Sequence, residues 1–233
     1  MRCLGIVVRR LFILCLPMLL LTASITWAAN SLWLYQHGFE KYDVSRTTGL
    51  AEAELDRVAR ELITYFRSGD KHITLTVVKD GEPVELFTER EIIHLWEVKM
   101  LFRLVYYLLA STLAFVIVYS AVMLRRQRGR AWRVLSSGIL KASILTLGVM
   151  GAAALAVIAA FGPLFWWFHE ILFFFFEGDY WILDPAKHYL IQLFPQGFWY
   201  DAFLLCGGIT AGLAVILGGV SGRYLLLKRR VAV

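Results

Sequence analysis

The sequence predicts an all-α membrane protein, a four-helix transmembrane bundle with a small extracytoplasmic α+β cap made of one helix and one β-hairpin. Three observations predict it. Four long apolar stretches recur along the 233 residues, and 59% of the chain is hydrophobic. All 18 acidic residues fall within positions 36–98 and 168–201. Outside those stretches the charged residues are arginine and lysine alone, 12 of them gathered in three clusters with no acid nearby.

The apolar stretches run about Leu11 to Tyr35, Met100 to Leu124, Ile139 to Phe168 and Ala202 to Leu227. Each reaches the roughly 20 residues that cross about 30 Å of hydrocarbon as a helix. The mean hydropathy of +0.63 agrees. The basic clusters are Arg2, Arg9 and Arg10; Arg125, Arg126, Arg128, Arg130 and Arg133; and Arg223, Lys228, Arg229 and Arg230. Basic segments next to membrane helices stay on the cytoplasmic side. Both termini are therefore expected inside and both acidic stretches outside. The net charge of +6 then marks loops resting on an anionic leaflet, and no nucleic-acid partner is expected.

The organisation that follows is a first membrane helix in 1–35, a cap in 36–98, a second helix in 99–124 and a basic inner loop in 125–138. A third helix in 139–168, an aromatic interfacial loop in 169–201 and a fourth helix with a basic tail in 202–233 complete it. Arg9–Arg10, an apolar run and Ala28–Ala29 would also suit a cleaved leader. The apolar stretch continues through Leu32–Tyr35, which favours a retained helix. Cys3, Cys15 and Cys206 include no CxxC pair and no two outside residues, so neither a disulfide framework nor thiol exchange is expected.

In the cap, Leu55, Val58, Ala59, Leu62, Ile63 and Phe66 recur at helical spacing, so about 50–67 is an amphipathic helix. Ile73 to Val77 alternates as a strand, Lys79-Asp80-Gly81 signals a hairpin turn, and Val84 to Leu86 returns. Thr88 and Glu91 form a capping box. The helix it opens has no breaker before Arg128, so the second membrane helix should project outward and carry Arg90, Glu91, His94 and Glu97 on its first turns. In the second acidic stretch, Trp166, Trp167 and the run Phe173–Phe176 are too apolar for a solvated loop. They belong in the interface, with Tyr180 and Trp181 at headgroup level. Asp184–Pro185 reads as the start of a short helix ending near Pro195. The Gly148–Ala160 run and Gly208-xxx-Gly212 read as close helix contacts.

His94 precedes the apolar part of the second helix and His169 closes that of the third. The two helices are antiparallel neighbours joined by a short inner loop, so both imidazoles should reach the outer interface, about 10 Å apart or less, a reach suited to moving protons near neutral pH. The plain alternative is two interfacial histidines bonded to backbone or headgroups. Glu91 and Glu97 lie three residues either side of His94 and could orient its ring. Arg103 lies nine residues beyond His94, deeper in the helix, where charge is costly. His37, His72 and His188 sit in loops. No histidine pair at i,i+4 and no third strong ligand is evident, so neither a metal nor another cofactor is expected.

The stretch Phe87-Thr88-Glu89-Arg90-Glu91-Ile92-Ile93-His94-Leu95-Trp96-Glu97-Val98-Lys99 resembles the lipoprotein intramolecular transacylase family (Lit). So do Phe168-His169-Glu170-Ile171-Leu172-Phe173, Trp181–Pro185, Leu190–Pro195 and Asp201. Leu95 and Glu97 stand where the family favours Met and Asp, and His188 stands where it favours Asp. The resemblance implies a bacterial cytoplasmic-membrane enzyme that shifts an acyl chain within one substrate. That substrate is a diacylated lipoprotein, its sn-2 acyl chain moving from glycerol oxygen to the α-amino group of the N-terminal cysteine to leave a lyso form. It also implies His94 and His169 as the essential pair. Glu97, Glu91, Arg103 and Trp181 are the expected supporting or substrate-binding residues, membrane lipids the surroundings, and a monomer the expected state. The alternatives are a non-enzymatic scaffold or assembly factor, for which both histidines would be dispensable, and a membrane lipid hydrolase, which needs a water-activating arrangement. A transporter is disfavoured by the few midplane polar groups.

Overall fold

The computed structural model describes residues 2–176 and 178–230. Glu177 of the second acidic stretch lies outside the described residues, as do residues 231–233. The same holds for the side chains of residues 2–4, 128 and 230, among them Cys3, Arg2, Arg128 and Arg230. In chain order the elements are α1 (Arg2–Ala29), α2 (Leu32–Lys41), α3 (Val44–Thr48), α4 (Glu52–Arg67), β1 (Thr76–Lys79), β2 (Glu82–Glu85), α5 (Glu89–Gln127), α6 (Ala131–Phe173), α7 (Tyr189–Leu193) and α8 (Gln196–Arg230), with a 3₁₀ turn at Arg128–Arg130.

Among the described residues four helices are long and apolar enough to cross a membrane: Gly5–Ala29, Glu89–Gln127, Ala131–Phe173 and Gln196–Arg229. At 39 residues, α5 measures about 58 Å at 1.5 Å per residue, and the part of α6 before its break, residues 131–159, measures about 44 Å on the same rise. Both therefore extend well past a hydrocarbon layer of about 30 Å. The protein is an all-α, multi-pass membrane protein with a small α+β cap. Exposed apolar side chains such as Leu104, Ile117, Leu155 and Ile216 line these helices, as lipid solvation permits.

The first apolar stretch is two helices, not one running to Tyr35. α1 stops at Ala29, Asn30 and Ser31 turn, and Ser31 is extended (φ −90°, ψ 101°) before α2 begins. Leu34 and Tyr35 are buried on α2. The apolar continuation that favoured a retained first helix thus belongs to a different element. In α6 the helix is broken at Ala160 (φ −151°, ψ 45°). The cause is Pro163, which has no N–H to donate and crowds the carbonyl four residues back.

The chain forms two compact units. The first combines Met1–Thr26, Val105–Leu155 and Leu205–Val233. Inside it Phe12 stacks on Tyr119 at 4.6 Å beside Leu135, Arg9 donates to Ser137 Oγ, and Thr210 Oγ1 donates to Ser24 Oγ at 3.0 Å. Its close approaches lie elsewhere than the sequence suggested. Gly148, Gly151, Gly208 and Gly212 face open space. Helices pack instead on Gly218, where a Cβ would come 2.9 Å from Ser143 Cβ, and on Gly138, where it would come 3.1 Å from the Phe12 ring.

The second unit comprises Trp27–Leu104 and Ala156–Leu204. Its core is built on α4, whose Leu55, Val58, Ala59, Leu62, Tyr65 and Phe66 are buried. Tyr65 takes the place expected of Ile63, which is only half-buried. α2 and β1 pack on α4, and α3 packs on α7. α2 and α3 were not foreseen in the cap. β1 and β2 pair antiparallel with Lys79 opposite Glu82. Asp80 and Gly81 both have positive φ (51° and 86°), the two-residue turn geometry that matches strand twist. This turn pins the register a few residues from the expected strands. Leu75 lies before the ladder, though its carbonyl still accepts from Leu86 N–H.

Asp184–Pro185 opens a turn rather than a helix. Asp184 Oδ1 accepts from Ala186 N–H at 2.9 Å, and its own N–H donates to His188 Nδ1 at 2.8 Å. The imidazole closes the turn, and helix α7 waits until Tyr189.

Candidate functional site

The N-terminal turn of α5 is fixed by Glu91, which is fully buried. Its Oε2 accepts from Thr88 N–H (2.8 Å) and Thr88 Oγ1 (2.7 Å), which is the carboxylate half of a capping box. Its Oε1 accepts from Leu190 N–H at 2.7 Å. Glu91 therefore does not orient His94; it fastens the start of α5 to α7.

One turn later His94 is buried (7% exposed) beside Glu97 (2%). Its Nδ1 lies 3.3 Å from Glu97 Oε2. Of the two flanking acids, Glu97 is the one that meets the imidazole. Near the end of α6, His169 Nδ1 lies 2.7 Å from the carbonyl oxygen of Phe165. A carbonyl only accepts, so Nδ1 carries the proton and the neutral ring keeps its lone pair on Nε2. Among the described residues no hydrogen bond engages Nε2 of either histidine.

The two rings stand 6.3 Å apart between centroids, inside the 10 Å reach expected of them. Phe173 bridges them, 4.9 Å from His94 and 5.6 Å from His169. Trp181 stacks on His169 at 5.2 Å with planes 29° apart, and Phe165 and Phe168 meet it edge-on. Trp181, expected at headgroup level, is thus packed over an imidazole. The roles of Phe165 and Phe173 were not foreseen. Phe165 acts through its backbone, four residues before His169, a spacing that carries no side-chain signal.

Arg103 serves elsewhere. It donates to Ser68 O at 3.2 Å. Lys99, fully buried, donates to Ser68 Oγ (3.0 Å) and Asp70 O (2.7 Å) and lies 3.9 Å over the Tyr65 ring. Two cations thus cover the C-terminal end of α4, where carbonyls lack helical partners. Burial pushes the Tyr65 phenol up to about 12, so it remains a donor to Lys71 O. Lys99 is not singled out by the sequence reading; its signal is a lysine immediately before the apolar stretch that begins at Met100.

Beside His169 in sequence, Trp167, Glu170, Ile171, Phe174 and Phe175 line a shallow cleft of about 310 Å³. Phe174 and Phe175 are 79% and 86% exposed. His37 stacks on Trp33, and His188 is used in its turn.

These features define an integral membrane protein whose paired histidines sit at the ends of long apolar helices. The family model described as lipoprotein intramolecular transacylase Lit matches residues 10–199, and the chain belongs to that family of acyltransferases. The fold is similar to the in meso structure of the membrane-integral Lit from Bacillus cereus. The TM-score is 0.81 at 21% identity, over 99% of this chain and 100% of that one. Structures of that protein with one histidine replaced by alanine or by arginine match with TM-scores of 0.74 and 0.69 at 21% and 22% identity. They cover 97% of this chain and 94% and 95% of theirs. No curated protein sequence matches the chain.

Proposed function

We propose that this transacylase moves the sn-2 acyl chain of a diacylglyceryl lipoprotein to the α-amino group of its N-terminal cysteine, on the extracytoplasmic face of the membrane, with His169 as base and His94 as acid. The observation that carries this reading is a buried imidazole, His94, and a half-buried one, His169, 6.3 Å apart and each held through Nδ1.

An α-ammonium has a pKa of about 8 and is mostly protonated at neutral pH. His169 Nε2 takes one proton from it and passes it to water. The free amine then attacks the ester carbonyl carbon, forming the C–N bond and an oxyanion. Collapse breaks the bond from carbonyl carbon to glycerol oxygen. The second nitrogen-bound proton reaches that oxygen by way of His94 Nε2, leaving an amide and a glycerol hydroxyl. Glu97 supplies a counter-charge while the His94 ring is cationic. No acyl-enzyme is needed, because amine and ester belong to one molecule, and intramolecular orientation supplies much of the rate. The cleft at Trp167, Ile171, Phe174 and Phe175 offers an apolar rest for an acyl chain.

Mass spectrometry of a lipoprotein N-terminus in cells with and without the chain tests the reading. Wild type should yield the N-acyl, lyso product. His94→Ala and His169→Ala should leave the diacylglyceryl form while remaining folded in the membrane. Free fatty acid without N-acyl product would make the chain a hydrolase, and normal conversion by both variants would remove the histidines from the chemistry.

A further inference from the structure

The guanidinium of Arg90, on the first turn of α5, is spent on backbone. Its Nη1 donates to the carbonyl oxygens of Asp179 and Ile182, the latter at 3.1 Å. Those two carbonyls bracket Tyr180 and Trp181. Ile182 N–H donates to Asp179 O at 3.2 Å, so the four residues form a tight turn gripped at both ends by one side chain. The Arg90 guanidinium carbon also lies 5.6 Å over the Tyr180 ring. Tyr180 packs on Gly178, whose φ of 98° suits glycine alone, and a Cβ there would come 2.6 Å from the Tyr180 ring. Among the described residues Arg90 forms no ion pair. Trp181, held at the tip of this turn, meets Trp166 edge-on at 4.6 Å and stacks on His169.

We propose that Arg90 is a positioning residue for His169, acting through the Asp179–Ile182 turn and the indole of Trp181. One hydrogen bond, Nδ1–H to Phe165 O, leaves an imidazole free to tilt about that contact. A stacked indole fixes the plane of the ring and so the direction of its Nε2 lone pair. Arg90 stands four residues before His94 on the same helix, so the turn of α5 that presents one histidine also sets the ring of the other. A lysine has one compact ammonium and no planar fork, and replaces an arginine poorly at such a double contact.

The inference rests on the acyl-transfer reading for its kinetic arm alone. Full-length protein in detergent micelles, labelled with ¹³C,¹⁵N-histidine, gives an imidazole resonance for His169, assigned by its loss in His169→Gln. The resonance should carry the ring-current shift of Trp181. That shift should fall away in Trp181→Leu and in Arg90→Ala, and Arg90→Lys should recover only part of it. Gly178→Ala, which unseats Tyr180 and the same turn, should move the resonance in the same direction and stands in if Arg90→Ala fails to fold. With a diacylated lipopeptide, Arg90→Ala should lower kcat about 10- to 100-fold with little change in KM, as expected when a reacting group is misaligned by less than 1 Å or so. The double variant Arg90→Ala/Trp181→Leu should be no slower than the slower single. A His169 resonance unmoved by Arg90→Ala, or single effects that multiply in the double variant, would overturn the proposal. If wild type turns over no lipopeptide while the resonance behaves as stated, the acyl-transfer reading fails and the positioning role of Arg90 stands.

Discussion

His94 and His169 lie 6.3 Å apart, and the Nδ1 of each meets a different kind of acceptor: the carboxylate of Glu97 for His94 and the carbonyl of Phe165 for His169. On the proposed reading, this difference divides the work. The carbonyl fixes the tautomer of His169 and adds no full charge, which suits a ring that begins neutral with its lone pair on Nε2. The carboxylate places a negative charge 3.3 Å from His94, which suits a ring that holds a proton and gives it up.

A pair acting as one unit loses most of its rate when either member is lost. His94→Ala and His169→Ala should each lower conversion of diacylglyceryl lipoprotein by about 100-fold or more, and the double variant should be little worse than either single. The measurement is the initial rate of N-acyl product formation. His37→Ala, whose ring rests on Trp33, should convert at the wild-type rate.

Glu91 tests how the site is framed. Its carboxylate takes Thr88 and Leu190 donors from two segments inside a fully buried position. Glu91→Ala should leave both backbone N–H groups unpaired, at about 1–3 kcal/mol for each. The thermal midpoint in micelles should fall, and the Leu190 amide should exchange faster. Glu91→Gln keeps one acceptor and should lose less. An unchanged midpoint in Glu91→Ala would mean that α7 is held by other contacts.

Much of the fold is legible in the sequence because hydropathy reports the length of apolar helices directly. The four long apolar helices follow from it, the start of α5 follows from the Thr88–Glu91 capping box, and the approach of the two histidines follows from their places at the ends of neighbouring apolar stretches. What escaped was set by single local contacts. Hydropathy does not register a two-residue break, so Leu32–Tyr35 was joined to α1 although Ser31 is extended. Asp184–Pro185 has helix-start chemistry, yet His188 Nδ1 captures the N–H of Asp184 and turns the chain first. Trp181 reaches His169 across an irregular loop, and no periodicity records such a contact.

Sidedness is tested by reporter fusions. The basic clusters at Arg125–Arg133 and Arg223–Arg230 contain no acid, and such clusters stay cytoplasmic. A reporter after Arg130 should therefore be active only as a cytoplasmic fusion, and one after Asp70 only as an extracytoplasmic one. Activity on the same side for both would remove the orientation and, with it, the proposed outer face of the site.

Glu97 distinguishes charge from orientation at His94. Glutamine at this position can still accept from Nδ1–H through its amide oxygen, so the ring keeps its direction while the counter-charge is lost. Aspartate keeps the charge on a side chain one methylene shorter, and α5 is anchored by Glu91 and Lys99 on either side of this turn. If His94 works as a cation during expulsion of the glycerol oxygen, Glu97→Gln should slow product formation about 10- to 100-fold, the usual cost of losing a partner behind a reacting histidine. Glu97→Asp should retain most of the rate. The comparison is made on kcat with the same diacylated lipopeptide, at membrane levels matched by immunoblot. A Glu97→Gln rate equal to wild type would show that the carboxylate supplies no charge to the reaction, and that His94 needs only an acceptor to hold its ring.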